Sequence, residues 1–202
     1  MKPKTRKQRY NAIISAVNHN LNACVVELAE SYLKDFPDSQ GGWDMYSLAL
    51  YKIDRLKDAK KALNKAIGLM DESNRQLRLS WLLCRMGHIY ENSGKFQEAI
   101  KWYAKAHDAN PSEATFLIYQ GVILLRLEKF DEAADLFLKA IKSEEGCIDE
   151  AFYNLGVVRL IQKRYKESLT CFEKALEIDP KYKEAKHQLK DIKKVIAILG
   201  NK

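Results

Sequence analysis

The sequence predicts an all-α fold, a right-handed superhelical solenoid of antiparallel helix pairs. Three observations predict it. Gly87, Gly121 and Gly156 step by 34 and then 35 residues, and so do Ala106, Ala140, Ala175 and Phe96, Phe130, Tyr165. Within each unit the apolar residues fall three and four apart, the period of one helix face. Only 4 Pro and 9 Gly interrupt the 202 residues, 47% of which are hydrophobic, so long helices and a sizeable core both fit. Three independent markers sharing one offset define a repeat. Repeats of this length stack so that each buries its apolar face on the next.

The elements follow in chain order. Residues 1–5 form a basic N-terminal arm. Residues 6–39 are a degenerate first unit, in which Tyr32 lies 34 residues before Ala66 and Pro37 closes a helical run. Residues 40–79 form a second unit, longer by about six, because Ser47, Leu56 and Ala66 each lie 40 residues before Gly87, Phe96 and Ala106. The extra residues fall near Met70–Leu79. There Ser73-x-x-Gln76 has the form of a capping box, so the following helix is expected to start early.

Residues 80–113, 114–148 and 149–182 are the clearest copies. Their first helices carry Leu83, Met86, Gly87 and Tyr90, or Leu117, Gln120, Gly121 and Leu124, or Phe152, Leu155, Gly156 and Arg159. Their second helices carry Ala99, Tyr103 and Ala106, or Ala133, Phe137 and Ala140, or Ser168, Phe172 and Ala175. The small residues let the two helices approach, and the aromatic fills the gap between units. Short turns, SGK, LEK and QKR, join them, and Pro111 and Pro180 stop the second helix. Residues 183–202 give a capping helix and tail, with Ala185, Leu189, Ile192 and Ile196 on one side to cover the last unit.

This pattern resembles the tetratricopeptide-repeat family, whose signature is W-x2-L-G-x2-Y, then A-x3-F, then P, over 34 residues. The resemblance covers nearly the whole chain and is most specific over 80–182. The sequence departs from it at Asp71 and Glu145, which stand in the Pro slot, and at Arg159, which stands in an aromatic one. The resemblance implies a scaffold that holds another protein along the concave surface of the array. Some family members grip chaperone C-terminal carboxylates there with Lys, Asn and Arg. The matching slots here are Asp44, Leu48, Arg85, Thr115 and Tyr119 in one frame, and Cys84, His88, Tyr119, Glu150 and Asn154 in the next. Neither frame carries the cationic set, so that mode of binding is not expected.

The groove residues also follow from geometry. The face opposite the small residue of each first helix holds positions two before, one after and five after it. These are Met45, Leu48 and Lys52, then Arg85, His88 and Asn92, then Tyr119, Val122 and Arg126, then Asn154, Val157 and Ile161. Arg85, His88, Tyr119, Arg126 and Asn154 are the candidate partner-binding residues, because Arg holds acids, Asn bonds peptide backbone and Tyr anchors interfaces. The aliphatic residues also fit plain packing between units.

No catalytic motif is present, and the expectation is a protein that is not an enzyme and needs no cofactor or metal. Cys84 and His88, four apart on one helix, are the only pair that invites a nucleophile reading, and they lack an orienting third group. The four cysteines have no ligand-like spacing and suit reduced thiols. The N-terminal stretch has basic residues but no apolar run, so a cytoplasmic location is expected. The net charge of +7 is concentrated at the ends: residues 1–10 carry +5, residues 181–202 carry +5, and the body carries −3. Those ends leave two alternatives, a nucleic-acid-associated protein using its basic termini, or a chaperone for a secreted or membrane client. The partner's identity and the oligomeric state are not encoded in the pattern.

Overall fold

The computed structural model describes residues 5–70 and 75–200. Residues 1–4 of the basic arm, the capping box at Ser73 and the last two residues of the tail lie outside them. Among the described residues there are eleven helices: α1 (Arg6–Asn18), α2 (Asn22–Asp35), α3 (Gln40–Lys52), α4 (Leu56–Gly68), α5 (Arg75–Asn92), α6 (Phe96–Ala109), α7 (Thr115–Arg126), α8 (Phe130–Ala140), α9 (Ile148–Ile161), α10 (Tyr165–Ile178) and α11 (Lys183–Gly200). The chain divides into two compact units, Met1–Ala99 and Ile100–Lys202, with the boundary inside α6.

In the first unit α1 opens with a reciprocal cap. The Gln8 amide N–H donates to Thr5 Oγ1 at 3.2 Å, and the Thr5 N–H donates to Gln8 Oε1 at 2.9 Å, satisfying two donors that the helix start leaves open. Each helix then packs on its chain neighbour, α1 on α2, α2 on α3 and α3 on α4. Ala59, Ala62, Leu63 and Ala66 make one buried face of α4, and the small Ser47 of α3 is fully buried with its hydroxyl donating to the Asp44 carbonyl at 2.7 Å. The two arginines that open α1 are engaged locally. Arg6 pairs with Asp38 at 3.4 Å, and Arg9 pairs with Asp35 at 2.5 Å while lying over Phe36 and Tyr32.

The second unit repeats the scheme. α7 packs on α8, α9 on α10, and α10 on α11, where Ala185 and Ile192 are buried. Gly121 and Gly156 are the close-approach points. A Cβ at Gly121 would stand 2.5 Å from the Phe137 ring, and one at Gly156 would stand 2.7 Å from Phe172. Ser168 secures the second crossing by donating to the Gly156 carbonyl at 2.8 Å.

Two departures from the family signature have physical causes here. The Glu145 N–H donates to the Ser112 carbonyl at 3.0 Å, and the Ala114 N–H donates to the Glu145 carbonyl at 2.9 Å. Proline at 145 would remove the first of these bonds. Arg159 replaces an aromatic because its guanidinium closes a polar network. It pairs with Glu167 at 3.4 Å and donates to Gln162 at 2.7 Å, and Gln162 donates onward to Asp131 at 2.8 Å.

Every three-residue turn within a pair contains one left-handed residue: Asn20, Asp54, Gly94, Glu128 and Lys163, with φ between 55 and 71°. The conformation reverses the chain in minimal length, and only one of the five positions uses the residue that adopts it without a steric cost.

Candidate functional site

In the first unit, α5 meets α3 through the Arg85–Asp44 and Asn92–Tyr51 contacts. Leu48, Tyr51 and Lys52 share one side of α3 through spacings of three and four, and Trp81, Cys84, Arg85 and His88 share one side of α5 through spacings of three, four and seven. Together they line a cleft of about 280 Å³. Its most open apolar group is Trp81, 42% exposed.

The polar wall of the cleft is built from inside the chain. Arg85 Nη1 donates to the Asp44 carboxylate, to the Asp44 carbonyl at 3.2 Å and to Ser47 Oγ at 3.2 Å. The two charged side chains retain 19% and 25% exposure. Asn92 Nδ2 donates to the Tyr51 hydroxyl at 3.0 Å, and burial pushes the Tyr51 phenol above its ordinary value. Lys52 is exposed and makes no ion pair among the described residues.

His88 Nε2 lies 3.6 Å from Cys84 Sγ, and His88 Nδ1 lies 3.8 Å from the Glu91 carboxylate. Cys84 is only 2% exposed. A thiol so enclosed is closed to a substrate carbonyl, and its surroundings are those of a packed cysteine. No group of His, Cys, Asp or Glu among the described residues is arranged to hold a metal ion.

In the second unit the corresponding residues lie on α7 and α9, opposite Gly121 and Gly156. Tyr119 is half-buried, its ring 5.3 Å from that of the fully buried Tyr103. Asn154 is half-buried and donates to the Glu150 carbonyl at 2.9 Å, one turn back on its own helix. Arg126 is exposed, and so is Ile161. Burial raises the Glu150 carboxyl above its usual range, with Asp149 adding repulsion. Burial also raises the Tyr182 phenol, whose ring lies 5.0 Å from Tyr153.

Of the five residues picked out from sequence, Arg85 and His88 therefore share one cleft in the first unit. Tyr119, Arg126 and Asn154 sit on neighbouring helices of the second. Trp81 escapes the sequence estimate, which stops two residues before the small residue. Six positions before Gly87, at 100° per residue, is about 120° around the helix and points the same way as His88. Extending the count by one turn finds it.

Two tetratricopeptide-repeat family models match this chain, over residues 84–146 and 149–182. RNA polymerase II-associated protein 3 of Xenopus laevis is 33% identical over 106 residues, which are 52% of this chain and 16% of that protein. Human protein O-mannosyl-transferase TMTC3 is 33% identical over 98 residues, 48% of this chain and 11% of that protein. The chain thus matches only a small part of the length of these relatives. Among solved structures, the first TPR of Spaghetti (RPAP3) bound to the HSP90 peptide SRMEEVD is 26% identical, with a TM-score of 0.55 over 60% of this chain and 95% of that one. YrrB, a TPR protein with an unusual peptide-binding site, is 18% identical with a TM-score of 0.64 over 92% of both chains, a likeness of fold.

Proposed function

The chain belongs to the tetratricopeptide-repeat family, and on that premise we propose that it is a non-catalytic scaffold holding a peptide or helix of a partner protein. The first helices of its pairs would carry the contact. The observation that carries this reading is the cleft between α3 and α5, where an exposed indole, Leu48 and Lys52, which has no ion pair among the described residues, meet the fixed Asp44–Arg85 wall. An apolar anchor with a few convergent polar groups is what peptide recognition needs. Arg85 and His88 would act in that cleft, and Tyr119, Arg126 and Asn154 would contribute from α7 and α9.

The similarity to an RPAP3 repeat domain bound to an HSP90 peptide raises the question of chaperone tails. The carboxylate slots read from this sequence hold Asp44, Leu48, Arg85, Thr115 and Tyr119, or Cys84, His88, Tyr119, Glu150 and Asn154. Arg85, the only permanent cation among them, spends its charge on Asp44. The proposed ligand is therefore an internal segment with an apolar side chain, and not a free C-terminal carboxylate.

A cytoplasmic setting belongs to the same proposal. It is supported by the free, exposed thiols of Cys24 and Cys147, which persist in a reducing compartment. Among the described residues no helix is long and apolar enough to cross a membrane.

Peptide-array selection followed by calorimetric titration tests the reading. Trp81→Ala and Tyr119→Ala/Asn154→Ala should each weaken a selected internal peptide while leaving the helical content unchanged. SRMEEVD should bind no better with its free carboxylate than as the C-terminal amide. A carboxylate-dependent complex with SRMEEVD, or indifference of every selected peptide to these substitutions, would overturn it.

A further inference from the structure

A second cleft, of about 900 Å³, lies on another side of the first unit. Trp43 and Tyr46 of α3 line it, and they point about 160° away from Leu48, Tyr51 and Lys52 of the same helix. Ala62 of α4 and Leu69, just past its end, complete the apolar lining.

The aromatic wall is fixed in place. The Trp43 indole N–H donates to the Pro37 carbonyl at 2.8 Å, and the Tyr46 hydroxyl donates to Glu30 at 2.7 Å. The two rings meet edge to face with centroids 6.0 Å apart. Such a wall costs little conformational entropy on binding.

The rim charges divide into spent and unspent. Arg55 and Asp58 close on each other at 2.7 Å, and the Glu30 carboxylate holds the Tyr46 hydroxyl. Lys61 and Lys65 also line the cleft, and Lys57 continues their row one turn back. All three are exposed, and none makes an ion pair or hydrogen bond with a described residue. Three like charges one turn apart repel one another, so an anionic ligand gains from relieving that repulsion as well as from pairing.

We propose that this cleft binds an acidic, extended segment of a partner protein that presents one apolar side chain between its carboxylates. The apolar side chain enters between Trp43, Tyr46 and Leu69, and the carboxylates sit on Lys57, Lys61 and Lys65. The spacings agree. Successive lysines rise by about 6 Å along α4, and alternate residues of an extended chain are about 6.6 Å apart. A nucleic-acid strand fits less well, because stacking needs an open ring face, and here both rings are half-buried and the edge of one lies on the face of the other. The site faces away from the α3–α5 cleft and stands independently of the function proposed above.

Fluorescence anisotropy on the full chain tests it. The probe is a labelled nine-residue peptide with Glu at alternate positions and Leu at its centre. The comparison probes are the same peptide with Ser for Leu, and a labelled oligouridylate of equal charge. Wild type should bind the Leu peptide saturably, and more weakly as salt rises. Lys61→Glu/Lys65→Glu, at exposed positions that leave the core untouched, should weaken it at least about tenfold. Asn64→Trp, which fills the rim without altering charge, should do the same, and so should Ser for Leu in the peptide. Trp81→Ala, which alters only the α3–α5 cleft, should leave the affinity for the Leu peptide unchanged. Absence of saturable binding below about 1 mM, equal binding of the Ser peptide, insensitivity to the lysine reversal, loss on Trp81→Ala, or tighter binding of oligouridylate would each overturn the proposal.

Discussion

Arg85 of α5 reaches across to α3, and its guanidinium grips the Asp44 carboxylate together with the Asp44 carbonyl and Ser47 Oγ. One side chain thus ties two first helices together at the edge of the cleft between them. Arg85→Ala should destabilise the first unit by about 1–3 kcal/mol, because it strands a partly buried carboxylate. Asp44→Ala/Arg85→Ala should cost less than the sum of the single changes, which denaturant unfolding of all four proteins would measure.

The helical glycines should respond to alanine with opposite signs. At Gly121 a methyl group would press on the fully buried Phe137, and Gly121→Ala should cost about 1–3 kcal/mol despite the gain in helix propensity. At Gly68 nothing lies within 4 Å of the added carbon, and Gly68→Ala should stabilise by about 0.5–1 kcal/mol. Thermal melts followed by circular dichroism would show the two shifts.

The left-handed turn residues give a third expectation. Glu128 and Lys163 sit at φ 59 and 60°. Glu128→Gly and Lys163→Gly should each stabilise by up to about 1 kcal/mol, the relief of left-handed strain being offset by the flexibility of Gly when unfolded. Gly94→Ala, at φ 71°, should destabilise by a similar amount. Urea midpoints would read both directions.

Glu150 gives a pH dependence. Its folded carboxyl is raised above the ordinary 4.5, first by burial and then by Asp149. The folded state therefore holds the proton more tightly than the unfolded chain. This contribution to stability is complete below the unfolded value and is lost as pH rises through the raised one. Glu150→Gln removes the ionisation, so it should be more stable than wild type at neutral pH, with the advantage disappearing below about pH 4. Urea titrations of both proteins from about pH 3 to pH 7.5 would test the convergence.

The fold class was legible because the small residues and aromatics of the repeats are set by close approach. A Cβ would crowd the Phe137 ring at Gly121 and the Phe172 ring at Gly156, so the smallest residues recur there. The turn conformations were not legible, because Glu128 and Lys163 occupy a left-handed position that their side chains do not advertise. Nor was the partner of Arg85. It comes from the neighbouring pair, 41 residues back, and no helical period along one chain segment reveals a contact across two. Glu145 had looked like a missing stop signal, yet it is a residue whose N–H is needed by Ser112. The candidate site was half-visible. Counting around a helix finds a face, but it does not say which cations on that face are already committed.

The three-residue turns bear on how the chain acquires its structure. Those at 19–21, 53–55, 127–129 and 162–164 link helices that rest directly on one another, so the segment that must close is short and little entropy is lost in closing it. A helix pair can therefore assemble once its own second helix has left the ribosome, without waiting for distant sequence. Within each unit, synthesis from the N-terminus then supplies the pairs one after another, each with its local contacts already available.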